Sequence, residues 1–152
     1  MKTPSDQLAI LIVEDNPSDL FLIEEMFRSS KLNIKNIYSS DRISAACVLL
    51  KEHDISLVML DLSLPDSFGI ESFLKIKEVD QKIPVIILTG LADSEVALET
   101  LKQGAQDYLV KGEFNSTHLV KSVEYSIERK KVFRSSISYF LSFILCIQLN
   151  IS

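Results

Sequence analysis

Four short, mostly apolar stretches of this 152-residue chain end in side chains that can handle a cation or a phosphate. Residues 8–13 run into Glu14 and Asp15, residues 55–60 into Asp61, residues 84–88 into Thr89, and residues 107–110 into Lys111. Drawn together, these would give three carboxylates, a hydroxyl and an ammonium group. Two carboxylates about 5 Å apart repel by roughly 3 kcal/mol at an effective dielectric of about 20. Such a cluster is relieved by holding a proton at a raised pKa, or by binding a hard divalent cation. Mg²⁺ takes oxygen ligands, keeps several waters, and accepts one or two carboxylates together with a phosphate oxygen. Lys111 and Thr89 add a positive charge and a hydrogen-bond donor. The set suits a trigonal phosphoryl group in transfer, which needs positioning and charge neutralisation above all. One carboxylate then serves as nucleophile and becomes an aspartyl-phosphate.

The elements between these residues explain how they could meet. Leu8-Ala-Ile-Leu-Ile-Val13 is short, rich in branched residues and stopped by acids and Pro17, which predicts a buried strand. From Pro17 the apolar period becomes helical, with Leu20, Ile23 and Phe27 on one face, Asn16 as cap and Pro17 at the first position. Residues 34–39 predict a weaker second strand. Asp41 is the expected cap of a helix running to about Glu52, with Ile43, Ala46, Leu49 and Leu50 inward and Cys47 as a small core residue. Residues 55–60 predict a third strand, and residues 62–69 a loop punctuated by Pro65 and Gly69. A helix over 70–79 offers Phe73, Leu74 and Ile76 to the core. Residues 84–88 predict the fourth strand. Ser94 would cap a helix to about Gln103, stopped by Gly104. Residues 107–110 predict the fifth strand and 116–134 a last amphipathic helix.

Strands alternating with helices imply right-handed crossovers and a parallel sheet. Near-continuous apolar strands imply a sheet covered on both faces. The expected fold is α/β, a (βα)5 doubly wound parallel five-stranded sheet in the flavodoxin-like order 2-1-3-4-5. Ligands of such sheets bind at the carboxyl ends of the strands, where the order reverses. That point lies between strands one and three, which carry Glu14, Asp15 and Asp61.

Composition narrows the function classes. The chain is 47% hydrophobic and 24% charged, which are globular values, and its formal charge is −5, which argues against a whole-domain nucleic-acid footprint. Cys47 and Cys146 lie far apart, so neither a disulfide framework nor a structural zinc site is expected. The start of the chain lacks the basic segment, long apolar stretch and cleavage site of a signal peptide, and the cytoplasm is the expected location. His53 and His118 fall in no metal-ligand pattern and are expected at the surface.

Four motifs in order then carry a resemblance. They are Val13-Glu14-Asp15-Asn16, Leu60-Asp61-Leu62-Ser63-Leu64-Pro65-Asp66 followed by Gly69, Leu88-Thr89-Gly90, and Gly104-Ala105-Gln106-Asp107-Tyr108-Leu109-Val110-Lys111. Over about residues 7–130 the chain resembles a response-regulator receiver domain of two-component signalling. The resemblance implies that Asp61 is the phosphoacceptor and that Glu14, Asp15, Asp61 and the main-chain carbonyl of Ser63 hold Mg²⁺. It implies that Lys111 pairs with the phosphoryl oxygens, that Thr89 bonds the attached phosphoryl group, and that Tyr108 changes rotamer with it. Thr89 and Tyr108 would form the switch. One departure is Gly112, where many members of the family have proline.

The implied partner is a sensor histidine kinase or phosphotransfer protein, with output through the face of the fourth helix, fifth strand and fifth helix. A dimer through that face is compatible with the reading. Turnover as a phosphatase is not expected, because haloacid-dehalogenase-type phosphatases place a second Asp two residues after the nucleophile, where this chain has Ser63. No GxxxxGK[ST] or GxGxxG element supports nucleotide binding. The competing reading is a receiver-like adaptor whose protein binding ignores phosphorylation.

The expected organisation is a receiver domain over residues 1–130 and a helix-five extension with an apolar tail over 131–152. Residues 135–152 contain no charged side chain. With no effector module in the sequence, the expectation is a stand-alone receiver. The tail reads first as a helix packed on the domain or on a second chain, then as an ill-structured terminus, and last as a membrane anchor. Eighteen helical residues reach about 27 Å against a hydrocarbon core of about 30 Å, and Ser138, Ser142, Gln148 and Asn150 weaken the anchor.

Overall fold

The computed structural model describes residues 7–151, with the side chains of all of these except 131–136, 138, 139 and 149–151. Residues 1–6, assigned above to the domain, and Ser152 lie outside the described residues.

Five parallel strands form one sheet: β1 (Leu8–Val13), β2 (Ile34–Ser40), β3 (Leu57–Asp61), β6 (Val85–Thr89) and β7 (Asp107–Val110), in the order β2-β1-β3-β6-β7. This is the expected doubly wound order. The expected fourth and fifth strands carry later labels because a small antiparallel hairpin, β4 (Ser63–Leu64) and β5 (Ser67–Phe68), interrupts the predicted loop. The helices are α1 (Pro17–Arg28), α2 (Ile43–Glu52), α3 (Ile70–Val79), α4 (Ser94–Lys102) and α5 (Ser116–Ile151), with one 3₁₀ turn over Leu91–Asp93.

Alternation along the strands builds two cores at once. Leu11, Val13, Val58, Leu60, Val85 and Ile87 face α2, α3 and α4 and pack with Ile43, Ala46, Phe73, Ile76 and Ala97. Their neighbours Ile10, Ile12, Leu57, Met59, Ile86 and Leu88 face the other way, onto Ile23 and Phe27 of α1 and Leu119 and Val123 of α5. A strand buried on both faces has no room for a polar residue until it ends. The polar side chains of β1, β3 and β6 are thereby confined to the strand termini, where the site forms.

Local capping departs from the sequence expectation at two places. Asn16 caps α1 as expected, accepting from Ser18 N at 2.9 Å and Asp19 N at 3.1 Å. Asp41 does not cap α2; it pairs with Arg42 at 3.1 Å. The cap comes instead from Asp66 in the β4–β5 hairpin, whose carboxylate accepts from Ile43 N at 2.9 Å and Ser44 N at 3.0 Å. A side chain 23 residues away supplies this bond, which local pattern reasoning cannot see. Ser94 is not a cap but the first residue of α4, after the 3₁₀ turn. Leu74 is exposed rather than in the core. Cys47 is half-buried against the first core, and both histidines are at the surface.

The C-terminal helix is the largest difference. Instead of ending near Arg134, α5 continues to Ile151, consistent with a sequence that has neither Gly nor Pro from 116 to 151. Its apolar side chains Ile137, Phe140, Leu141, Phe143, Ile144 and Leu145 are exposed, so they do not pack on the domain's own body. Among the described residues, no helix is long and apolar enough to cross a membrane.

Candidate functional site

Strand ends place each of the chemically capable residues. Asp61 is the last residue of β3, in register with Leu88 of β6. Glu14 follows β1, and its N–H donates to Ser40 O at 2.9 Å, continuing the ladder toward β2. Thr89 closes β6, and the N–H of Lys111 donates to Thr89 O at 2.8 Å. All four therefore sit on one edge of the sheet, beside the point where the strand order reverses.

The side chains converge. Lys111 Nζ lies 2.7 Å from Glu14 Oε2, 3.3 Å from Asp61 Oδ2 and 3.3 Å from Asp19 Oδ2. Glu14, Asp15 and Asp61 each offer a carboxylate oxygen within 4.8 Å of the others. Glu14 and Asp61 are buried, at 2% and 5% exposure, whereas Asp15 is exposed. Asn16 N donates to Glu14 Oε1 at 3.1 Å, and Ser63 N donates to Asp61 Oδ1 at 3.2 Å. These bonds leave Glu14 Oε2 and Asp61 Oδ2 turned toward the lysine. Thr89 is buried, and its hydroxyl donates to Gly90 O at 3.1 Å. Tyr108 is half-buried against the first core, next to the strand end.

Two residues escaped sequence reasoning. Asp19 stands in the first turn of α1, where it completes the ring of carboxylates around Lys111. Its signal was an acid one helical turn after the Glu14-Asp15 pair, on a helix whose start was legible. Asp66 ties α2 to the loop that follows Asp61. It had no signal beyond its place in the loop.

Burial dominates the electrostatics. Desolvation raises the Glu14 pKa to about 7; the close approach of the Lys111 ammonium opposes it and repulsion from Asp61 adds to it. Desolvation likewise raises Asp61, against the attraction of Lys111 and the bond from Ser63 N. Burial works against the ammonium of Lys111, but its pairing with Glu14, Asp61 and Asp19 outweighs this and holds its pKa above that of a free lysine. One lysine thus offsets several acids incompletely, leaving the carboxylates short of positive charge.

That deficit fits a divalent cation. Glu14 Oε2 is buried and has no aligned hydrogen-bond donor, since its 2.7 Å approach to Lys111 is a contact of charges outside hydrogen-bond geometry. The converging donors are all oxygen, the preference of Mg²⁺ over thiophilic or imidazole-seeking metals. Glu14, Asp15 and Asp61 are the residues that could hold it.

At Gly112 the departure from proline has a conformational reading. This glycine has φ +83°, and proline is held near −65°. The turn leaving Lys111 is therefore one that glycine permits and proline cannot adopt.

The family model for the response regulator receiver domain matches residues 10–124. Among curated proteins, the cell cycle response regulator CtrA of Brucella ovis is 31% identical over 124 residues, covering 82% of this chain and 52% of that protein. The cell cycle transcriptional regulator CtrA of Caulobacter vibrioides is 28% identical over the same coverage. The chain thus spans about half the length of the curated relatives it matches. Among solved structures, a response regulator receiver domain protein from Clostridium thermocellum is 26% identical with a TM-score of 0.73, covering 83% of this chain and 98% of that one. The receiver domain of the sensor histidine kinase PA1611 from Pseudomonas aeruginosa, which has a magnesium ion coordinated in its active site cleft, is 28% identical with a TM-score of 0.69. It covers 80% of this chain and 98% of its own. Fold order, strand-end chemistry and family match agree: the chain belongs to the response regulator receiver domain family of two-component systems.

Proposed function

We propose that this receiver accepts a phosphoryl group on Asp61 in a Mg²⁺-dependent reaction and relays it as a change in its protein-binding face. The observation that carries this reading is Lys111, whose ammonium reaches Asp61, Glu14 and Asp19 within 3.3 Å at the sheet edge.

Asp61 Oδ2 is the nucleophile. It bonds to phosphorus as the bond from phosphorus to the donor breaks, and the donor's imidazole keeps that electron pair. Lys111 then follows the charge from the carboxylate onto the phosphoryl oxygens. Glu14, Asp15, Asp61 and the carbonyl of Ser63 would hold Mg²⁺, which when bound neutralises charge on the phosphoryl oxygens. The Thr89 hydroxyl gives up its bond to Gly90 O and donates to a phosphoryl oxygen instead. The space it leaves is taken by Tyr108, coupling a local charge change to packing on the α4–β7–α5 face. The donor is a histidine kinase or a phosphotransfer protein, the chain works in the cytoplasm, and no nucleic-acid contact is assigned to the domain. It catalyses its own phosphorylation and slow hydrolysis but turns over no separate substrate.

Intact mass after incubation with acetyl phosphate tests this directly. One added phosphoryl group is expected, dependent on Mg²⁺ and absent in Asp61→Asn. No adduct on folded wild-type protein, beside a receiver that does react, refutes the reading and leaves the phosphorylation-independent adaptor.

A further inference from the structure

In the C-terminal half of α5, the described apolar side chains are exposed rather than packed on their own domain. Ile137, Phe140, Ile144 and Ile147 are between 37 and 61% exposed. Their spacing of three, four and three residues puts them on one stripe of the helix. The same spacing continues in the sequence to Phe133 on one side and Ile151 on the other. This is the heptad pattern of a coiled coil, with Ile137, Ile144 and Ile151 at the first core position and Phe133, Phe140 and Ile147 at the second. Ser142, exposed, falls at the outermost position of the repeat.

We propose that this segment pairs with the same segment of a second copy of this chain. Three observations choose a second copy over other occupants. First, the flanking positions hold Leu141, Phe143, Gln148 and Asn150, and no charge occurs from 135 to 152. Coiled coils that select a different partner encode it in flanking charges. Between 135 and 152 none exists, so that stretch of two identical copies meets without repulsion. Second, the seam is apolar at every core position from Ile137 to Ile151, with no polar residue to set it against a different helix. Third, the area suffices. With about 150–250 Å² for a whole aromatic side chain, complete cover of the stripe and its flanks Leu141 and Phe143 would bury at most about 600 Å² per chain. The pair then buries up to roughly 1,200 Å², above the roughly 1,000 Å² expected of a specific interface. A membrane surface fits less well, because helices lying in a lipid interface carry Lys or Arg on their polar face, and this stretch has none.

The test is sedimentation equilibrium of the full chain from about 1 to about 100 µM, a range that brackets micromolar association. Wild type, Ile144→Glu and Ser142→Glu are compared, with far-UV circular dichroism as the folding control. Wild type is expected to reach twice the mass of one chain. Ile144→Glu, which puts a charge in the seam, is expected to weaken the dimer by at least about tenfold, and Ser142→Glu by less than about threefold. A monomer at every concentration overturns the proposal, as does equal weakening by both variants. Binding of a monomeric wild type to phosphatidylcholine–phosphatidylglycerol vesicles would overturn it in favour of lipid.

Discussion

Glu14→Gln separates the structural cost of the acid cluster from its use. The carboxylate is buried at the sheet edge, and burial holds its pKa at about 7 rather than 4.5. At about 1.4 kcal/mol per pH unit, keeping it ionised in the folded protein costs up to about 3 kcal/mol. The sign follows from the direction of the shift. Below pH 4.5 the group is protonated in both folded and unfolded chains and costs nothing. Between 4.5 and about 7 the unfolded chain releases the proton first, so stability falls as pH rises. Above about 7 the full cost is present. Glutamine imitates the neutral carboxyl at every pH, so in EDTA the variant should match wild type near pH 4.5. By pH 8 it should exceed wild type by about 1–3 kcal/mol. Urea unfolding across that range reads the difference directly, and comparing variant with wild type cancels the titrating groups remote from the site. With millimolar-range Mg²⁺ wild type should regain stability and the variant should not, because a ligand that binds only the folded state stabilises it. A difference curve that stays flat from pH 4.5 to 8, or a variant less stable at pH 8, would refute the reasoning.

Two further substitutions test how the site is held. Asp66→Ala removes the acceptor of two N–H groups at the start of α2, and should cost about 1–2 kcal/mol in urea unfolding with an unchanged denaturant slope, together with faster exchange of the Ile43 and Ser44 amides. Gly112→Pro, although it restores the residue many receivers carry, demands a negative φ where the chain has +83°; thermal unfolding should show a loss of at least about 1–2 kcal/mol, and an unchanged midpoint would show that the turn after Lys111 relaxes freely.

Much of this molecule is legible from residue order because its strands are buried on both faces. Such strands read as unbroken apolar runs, so their ends are marked by the first polar residue. In this fold those ends are also where the chemistry sits. Glu14, Asp15, Asp61, Thr89 and Lys111 were all found that way, and the parallel sheet that carries them follows from alternating strands and helices. What the sequence could not decide depends on contacts between distant residues or on the balance of burial against charge. Asp19 joins the lysine only because the fold brings the first turn of α1 to the site. Asp66 caps a helix that begins 23 residues earlier, whereas the local candidate Asp41 turns to Arg42. The length of α5 was open because an uncharged apolar run suits a packed, loose or lipid-bound terminus alike. Only the three-dimensional arrangement shows a continuous helix whose described apolar side chains stay exposed. Local propensity and periodicity determined the elements and their chemical endings, and tertiary packing decided which charges meet and which surfaces remain uncovered.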